Sequence, residues 1–261
     1  MARVTRFAPS PTGPLHLGHA FSALTAAARG DLFLVRIEDI DRTRCKPLYE
    51  QGIFDDLHWL GLTWETPVLR QSSRGAAYQT ALDHLAHLTY HCTCTRADIR
   101  AAQSAPQGPD GPIYPGTCRD KGHGKGAVRL DIARAVARLP DLSFTESGRR
   151  HILNPAQLVE STGDIVLARN DIGVAYHLAV VVDDAFQGIT EVTRGEDLFT
   201  ATPLQVTLQR LLGLPTPSYH HHRLIRDDHG KRLAKRDDAR ALAKYRDDGA
   251  TPQDIRRLVG L

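Results

Sequence analysis

The sequence lacks any apolar run long enough to cross a bilayer; stretches such as LAVVV at 178–182 fall far short of the roughly 20 residues a spanning helix needs. It also lacks a recognisable secretory leader, since the basic start MARVTRFAPS leads into no apolar stretch. Cysteine is scarce, four in 261 residues, and two of the four form a Cys-x-Cys pair. So few thiols without a leader speak against a disulfide framework and for metal binding. No sign of charge dominates: a net +3 is too small for the field of a general nucleic-acid binder. Lysine is rare beside arginine, 6 against 27, which fits a GC-rich coding bias better than a functional choice of guanidinium. No internal repeat is evident. These absences leave an ordinary globular chain, expected in the cytoplasm, with 41% apolar and 24% charged residues. Its length suits one substantial core, or a nucleotide-binding domain carrying an insertion.

Val4 to Ala8 reads as a short buried strand closed by the turn-forming run PSPTGP at 9–14. LHLGHAFSALTAAAR (15–29) is Ala/Leu-rich and helical, and Gly30 stops it. Asp31 to Glu38 (DLFLVRIE) is a second strand, apolar enough for burial on both faces. A helix around 48–60 repeats Leu48, Phe54, Leu57 and Leu60 at helical spacing and ends at Gly61. Strand, helix, strand, helix in this order implies right-handed crossovers and a parallel sheet. The Gly/Pro-dense run at 103–126 holds no periodic element and marks an inserted subdomain. Strand-like pieces follow at Ala127–Asp131 and Asp164–Arg169, then an expected strand HLAVVVDDA at 177–185 and a short one at 189–193. A helix runs from about Thr202 to Leu212, and Thr251-Pro252-Gln253-Asp254 opens a last short one with a cap, a proline and an acid in its first turn.

The segment RFAPSPTGPLHLGH at 6–19 carries the chemistry. A strand, a Pro/Gly turn and His16-Leu17-Gly18-His19 opening a helix form a phosphate-binding arrangement, because free N–H groups and the positive helix end attract anions. Gly18 admits a nucleotide close to the backbone, and His16 and His19 can hydrogen-bond phosphate oxygens. The wider segment resembles the first signature of the class I aminoacyl-tRNA synthetases in their glutamate-specific form. RIEDIDRTR at 36–44 resembles the acidic signature after the second strand. AYHLAVVVDDAFQGITEVTRGEDL at 175–198 resembles the entry to the second half of the fold, and GKRLAKRDDA at 230–239 stands where the family's lysine loop belongs. That loop departs from the pattern, with Arg232 at its first position and Ala234 for serine, while Lys235 is retained.

The resemblance implies an α/β, Rossmann-like parallel-sheet nucleotide-binding fold interrupted by a zinc-bearing insertion subdomain. The expected division is a first half of the catalytic domain at 1–80 and a zinc-bearing, tRNA-contacting insertion at 81–172. A second half with the lysine loop at 173–240 and a helical tail at 241–261 complete it, with no anticodon-binding domain. Pro9, His16, Gly18, His19 and Lys235 are implied to bind ATP, with His16, His19 and Lys235 catalytic. Arg6, Phe7, Ala8, Pro9, Ser10, Glu38, Tyr176 and Arg194 are implied to line the glutamate site. There Glu38 takes the ammonium group, unless it merely pairs with nearby Arg36, and Arg194 takes the side-chain carboxylate bidentately.

Cys92-Thr93-Cys94 and the later Cys118 supply three thiolates for a tetrahedral zinc site needing one further donor, with Tyr114, His91 and His123 in reach by sequence. Tyrosine is an unusual ligand on general grounds. Short relatives of glutamyl-tRNA synthetase carry such a site, which implies Cys92, Cys94, Tyr114 and Cys118 as the ligand set of one structural Zn2+. Cys45 stands apart as a spectator. Because the sequence ends soon after Lys235, it resembles most the family of truncated paralogues that act on tRNA(Asp). These make glutamyl-adenylate from L-glutamate and ATP, with Mg2+, without tRNA, and transfer the glutamate to queuosine in the anticodon. A monomer is expected. The alternative is a compact glutamate–tRNA ligase charging a 3′ end.

Overall fold

The computed structural model describes residues 2–101, 107–108, 111–171, 173–225 and 240–261. In chain order the first elements are β1 (Val4–Phe7), α1 (Leu17–Arg29), β2 (Leu32–Ile37), α2 (Pro47–Trp59), β3 (Leu69–Arg70) and α3 (Gly75–Leu85). There follow β4 (Thr89–Cys92), α4 (Arg96–Ala101), β5 (Gln107–Gly108), β6 (Gly111–Pro112), β7 (Ala127–Leu130), α5 (Ile132–Val136), β8 (Ser143–Glu146), β9 (Arg149–Ile152) and α6 (Pro155–Thr162). The chain closes with β10 (Val166–Arg169), β11 (Gly173–Val174), α7 (Tyr176–Phe186), β12 (Glu191–Gly195), α8 (Thr202–Leu211), β13 (Ser218–His222), α9 (Leu242–Asp247) and α10 (Pro252–Val259). Two compact units divide it. One comprises Met1–Ser73, Gly188–Phe199 and Ser218–Leu261; the other comprises Arg74–Gln187 and Thr200–Pro217. Among the described residues no helix is long and apolar enough to cross a membrane.

In the first unit β1, β2 and β3 pair in parallel, and β12 pairs with β13 in parallel. β12 runs beside β1, where the Thr190 N–H donates to the Val4 carbonyl at 3.0 Å. α1 packs on this sheet through Leu17, Ala20, Phe21, Ala23, Leu24 and Ala26, all buried. Its alanine content favours the helix, and its small side chains let it lie close. Gly30 is required for that closeness rather than for an unusual φ: a Cβ there would meet Thr5 Oγ1 at 2.3 Å. The C-terminal helices join the same core through Leu242, Ile255 and Val259, each fully buried. α10 carries a capping box, with Asp254 N–H donating to Thr251 Oγ1 and the Thr251 N–H to Asp254 Oδ2. In α2 the core face is Ile53, Asp56 and Leu57. Leu48, which the helical spacing grouped with Phe54, Leu57 and Leu60, is 77% exposed at the first turn.

In the second unit an antiparallel sheet runs in the order β11-β10-β7-β4. β8 and β9 form a hairpin turned by Ser147 and Gly148, both at positive φ. Residues 177–185 contradict the expected strand: α7 spans Tyr176–Phe186. Leu178, Ala179, Val180, Val181, Asp183 and Asp184 are all buried, so the segment shows no clean one-sided period. A short apolar run of this kind does not distinguish a buried helix from a buried strand, and tertiary packing overrides the β-branched propensity of three valines. Asp183, 0% exposed, is held by the Tyr78 hydroxyl at 2.6 Å and Arg74 Nε at 3.1 Å, which ties α7 to α3.

Candidate active site

His16 is the N-cap of α1, with extended φ −134° and ψ 177°. Its Nδ1 accepts the Gly18 N–H at 3.1 Å, while His19 Nδ1 accepts the His16 N–H at 3.2 Å. Two imidazoles thus build a capping box ordinarily made from a hydroxyl and a carboxylate. The rings lie 3.8 Å apart, centroid to centroid. With each Nδ1 accepting, each neutral ring carries its proton on Nε2, so both are set as Nε2–H donors at a positive helix end. The antiparallel bridge of His16 with Ala241, and the Leu242 N–H bond to the Leu15 carbonyl at 2.9 Å, bring the chain back to this turn.

Strand alternation sorts the sheet's side chains into two faces. Thr5 Oγ1 donates to the Ala26 carbonyl at 2.8 Å, Arg29 Nε meets Glu191 at 2.5 Å, and His222 Nε2 lies 2.8 Å from Ser22 Oγ. Those three partners belong to α1, so Thr5, Glu191 and His222 mark its face. Arg6, Arg36 and Arg194 alternate to the opposite face, and so do Tyr219 and His221, because residues paired across parallel strands point the same way. Glu38, one step past β2, receives Arg36 Nη2 on Oε1 at 3.1 Å, and its N–H donates to the Pro9 carbonyl at 3.0 Å. Arg6, Arg36, Glu38 and Arg194 are all under 9% exposed. Arg6 Nη1 donates to the Thr193 carbonyl at 3.3 Å, and Arg194 Nε donates to His221 Nε2 at 3.1 Å. Three guanidinium groups and one carboxylate on one dry face suit an anionic ligand that also carries a cation. The first turn supplies Phe7 and Pro9, buried, Ala8, half-buried, and Ser10, exposed.

In the second unit, the sulfurs of Cys92, Cys94 and Cys118 lie within 4.8 Å of one another. Tyr114 Oη stands 3.3 Å from Cys92 Sγ and 3.6 Å from Cys94 Sγ, and Cys94 and Cys118 are 3.5 Å apart. Tetrahedral zinc with Zn–S about 2.3 Å sets its donors roughly 3.5–3.8 Å apart, so the four donors fit a metal ion. Of the other two donors weighed, His91 Nδ1 lies 3.5 Å from the Gly126 carbonyl oxygen and His123 Nε2 lies 3.4 Å from Thr93 Oγ1. Burial pushes the Cys94 thiol up. Burial acts the same way on Cys118, but bonds with the Tyr114 hydroxyl, the Thr93 N–H and the two other thiols outweigh it and bring it to about 5. Gly126, at φ +130°, lets β7 start against the strand that carries Cys92, since a Cβ would sit 2.4 Å from the Cys92 carbonyl oxygen. Cys45 is apart from this cluster, with its Sγ 3.9 Å from the Glu38 carbonyl.

The family model of tRNA synthetases class I (E and Q), catalytic domain, matches residues 3–261. The chain belongs to this family. Among relatives, glutamyl-Q tRNA(Asp) synthetase of Rhodobacter capsulatus is 58% identical, the match covering 99% of this chain and 100% of that protein. The protein of the same name from Thiobacillus denitrificans is 46% identical over 97% of this chain and 84% of its own length. Of solved structures, glutamate-tRNA synthetase of Elizabethkingia anophelis superposes with TM-score 0.76 at 23% identity and covers all of this chain. This class I chain spans 61% of that structure's length.

Within this class I synthetase fold, Arg6, Phe7, Ala8, Pro9, Ser10, His16, Gly18, His19, Glu38 and Arg194 all lie in the first unit. Tyr176 opens α7 in the second unit, where its ring meets that of His177 edge-on. Lys235, with Arg232 and Ala234, lies outside the described residues. Sequence reasoning missed Tyr219 and His221, which stack 5.9 Å apart beside Arg194. Alternation within SYHHH at 218–222 would have singled them out once β12 and β13 were known to be parallel neighbours.

Proposed function

We propose that this chain activates L-glutamate with ATP to glutamyl-adenylate without tRNA, and then transfers the glutamate to queuosine in the anticodon of tRNA(Asp). The observation that carries this reading is 58% identity, end to end, with a protein named glutamyl-Q tRNA(Asp) synthetase. In the activation step a glutamate carboxylate oxygen attacks the α-phosphorus, the bond to the bridging oxygen breaks, and pyrophosphate leaves. Charge builds on phosphate oxygens, so positioned donors lower the barrier. His16 and His19 donate from Nε2 to those oxygens, and the N-terminus of α1 at Gly18 adds its positive end. Lys235 comes six residues before Ala241, whose backbone bridges that of His16. As the resemblance to the family's lysine loop implies, the Lys235 ammonium closes over the phosphates from the other side.

For the amino acid, Arg194 pairs with the side-chain carboxylate while Glu38 holds the ammonium group, oriented by Arg36. Arg6, Phe7, Ala8, Pro9 and Ser10 line the first turn of the site. Glutamine would leave the buried guanidinium of Arg194 with a weaker neutral partner, which favours glutamate. Cys92, Cys94, Cys118 and Tyr114 would hold one zinc ion, which when bound orders a loop with few apolar residues of its own.

The decisive test of activation is glutamate-dependent ATP–pyrophosphate exchange with no tRNA present. Robust exchange is expected. Exchange that appears only with tRNA would favour the second reading, a compact ligase charging a 3′ end.

A further inference from the structure

Arg129 sits on β7 opposite Tyr90 of β4, next to the strand that carries Cys92. It is 7% exposed, and its guanidinium carbon lies 3.8 Å from the centroid of the Tyr114 ring. Among the described residues its one hydrogen bond runs from Nη1 to the Asp164 carbonyl oxygen at 2.7 Å, and its buried Nε has no partner. Among the described residues the ion pairs of Asp131 and Asp164 run to Arg119, at 3.6 and 2.7 Å, and none runs to Arg129. The neighbouring carboxylates are committed elsewhere. Asp164 takes the Tyr90 hydroxyl at 2.5 Å, Arg119 Nη2 at 2.7 Å and the Ile132 N–H at 3.0 Å, and Asp131 takes the Arg134 N–H at 3.1 Å. A buried cation matched to one carbonyl dipole is costly unless something anionic faces it.

The four donors beyond the Tyr114 ring have the opposite imbalance. Three thiolates and a phenolate carry four negative charges, a divalent ion cancels two, and a buried net charge of two remains. The Cys118 N–H already donates to Tyr114 Oη at 2.8 Å, as it would to a phenolate. A ring bearing phenolate charge also attracts a stacked guanidinium more strongly than a neutral phenol does.

We propose that Arg129 is the counter-cation of the Cys92–Cys94–Tyr114–Cys118 metal centre and supports Tyr114 as its phenolate ligand. The proposal rests on the zinc reading above. On metal binding the phenolic and thiol protons leave to solvent, and the guanidinium stays charged throughout. Arg129 acts through the ring of Tyr114, so it is a positioning residue of the centre and not a ligand.

The test is zinc affinity of the full chain, measured by chelator competition, in a cycle of Arg129→Met and Tyr114→Phe. Arg129→Met is expected to weaken zinc binding about 10–100-fold, as loss of an outer-sphere partner does. In the Tyr114→Phe background, with no phenolate to support, the same change is expected to cost less than about threefold. Arg129→Lys keeps the charge and loses the planar stack; it is expected to fall between wild type and Arg129→Met, and it serves alone if Arg129→Met does not fold. Wild-type affinity in Arg129→Met, or equal losses from it in both tyrosine backgrounds, would overturn the proposal. A wild-type chain that takes up no zinc would overturn the metal reading itself.

Discussion

The imidazole of His16 serves the helix with one nitrogen and, in the proposed reaction, the nucleotide with the other. Replacing it by alanine would remove both and confuse a cap worth about 1 kcal/mol with a catalytic donor. His16→Asn separates them, because asparagine is among the best N-caps and can accept the Gly18 N–H. The variant is expected to melt close to wild type and to lose exchange activity about 10²–10³-fold, the loss typical of one preorganised donor. Near-normal exchange would remove His16 from the chemistry. Arg194, buried and bonded to His221, is tested by discrimination instead. Arg194→Gln is expected to raise KM for glutamate and to shrink the preference for glutamate over glutamine in the exchange assay. An unchanged preference would place the side-chain carboxylate elsewhere. These residues were legible because the signature around them is contiguous. Tyr219 and His221 were not, because only the parallel register of β12 with β13 brings them to Arg194.

Among the elements, the cysteine cluster shows how little spacing says about a fourth ligand. By spacing alone Tyr114, His91 and His123 are equally in reach; the family resemblance implies Tyr114, and the fold sets its hydroxyl among the sulfurs. Cys118→Ser is expected to lower bound zinc well below one per chain, read by atomic absorption, and to loosen the segment around Tyr114. A full equivalent of tightly held metal in that variant would contradict the ligand set. α7 was misread as a strand because burial on all sides erases the period that separates helix from strand. α9 is fastened to α2 by Arg246 Nη1 on Asp56 Oδ1 at 3.2 Å. Burial raises the Asp56 carboxyl from an ordinary 3.8 to about 6, although Arg246 draws it down. A folded-state value above the unfolded one means the fold favours the protonated form. The associated stability is present below about pH 4 and is lost as pH rises through 6. Asp56→Asn is therefore expected to exceed wild type in stability above pH 7, on the order of 2–3 kcal/mol, and to match it near pH 4. Thermal melts of both proteins across that range check the sign.

At the scale of the whole molecule, β1, α1 and β2 were legible from periodicity, capping and punctuation, and they hold most of the candidate site. The hairpin of β8 and β9, with its edge strand exposed along most of its length, carries no burial pattern from which to read it. The packing of Thr200–Pro217 with Arg74–Gln187 depends on contacts remote in sequence. The acceptor is a property of the molecule and not of any one residue, and it carries the central claim. Transfer of labelled glutamate, with ATP, to tRNA(Asp) containing queuosine and to the same tRNA lacking it tests that claim most directly. The account predicts label on the queuosine-containing tRNA alone, retained when the 3′ end has been removed; equal labelling of both tRNAs, lost with the 3′ end, would contradict it.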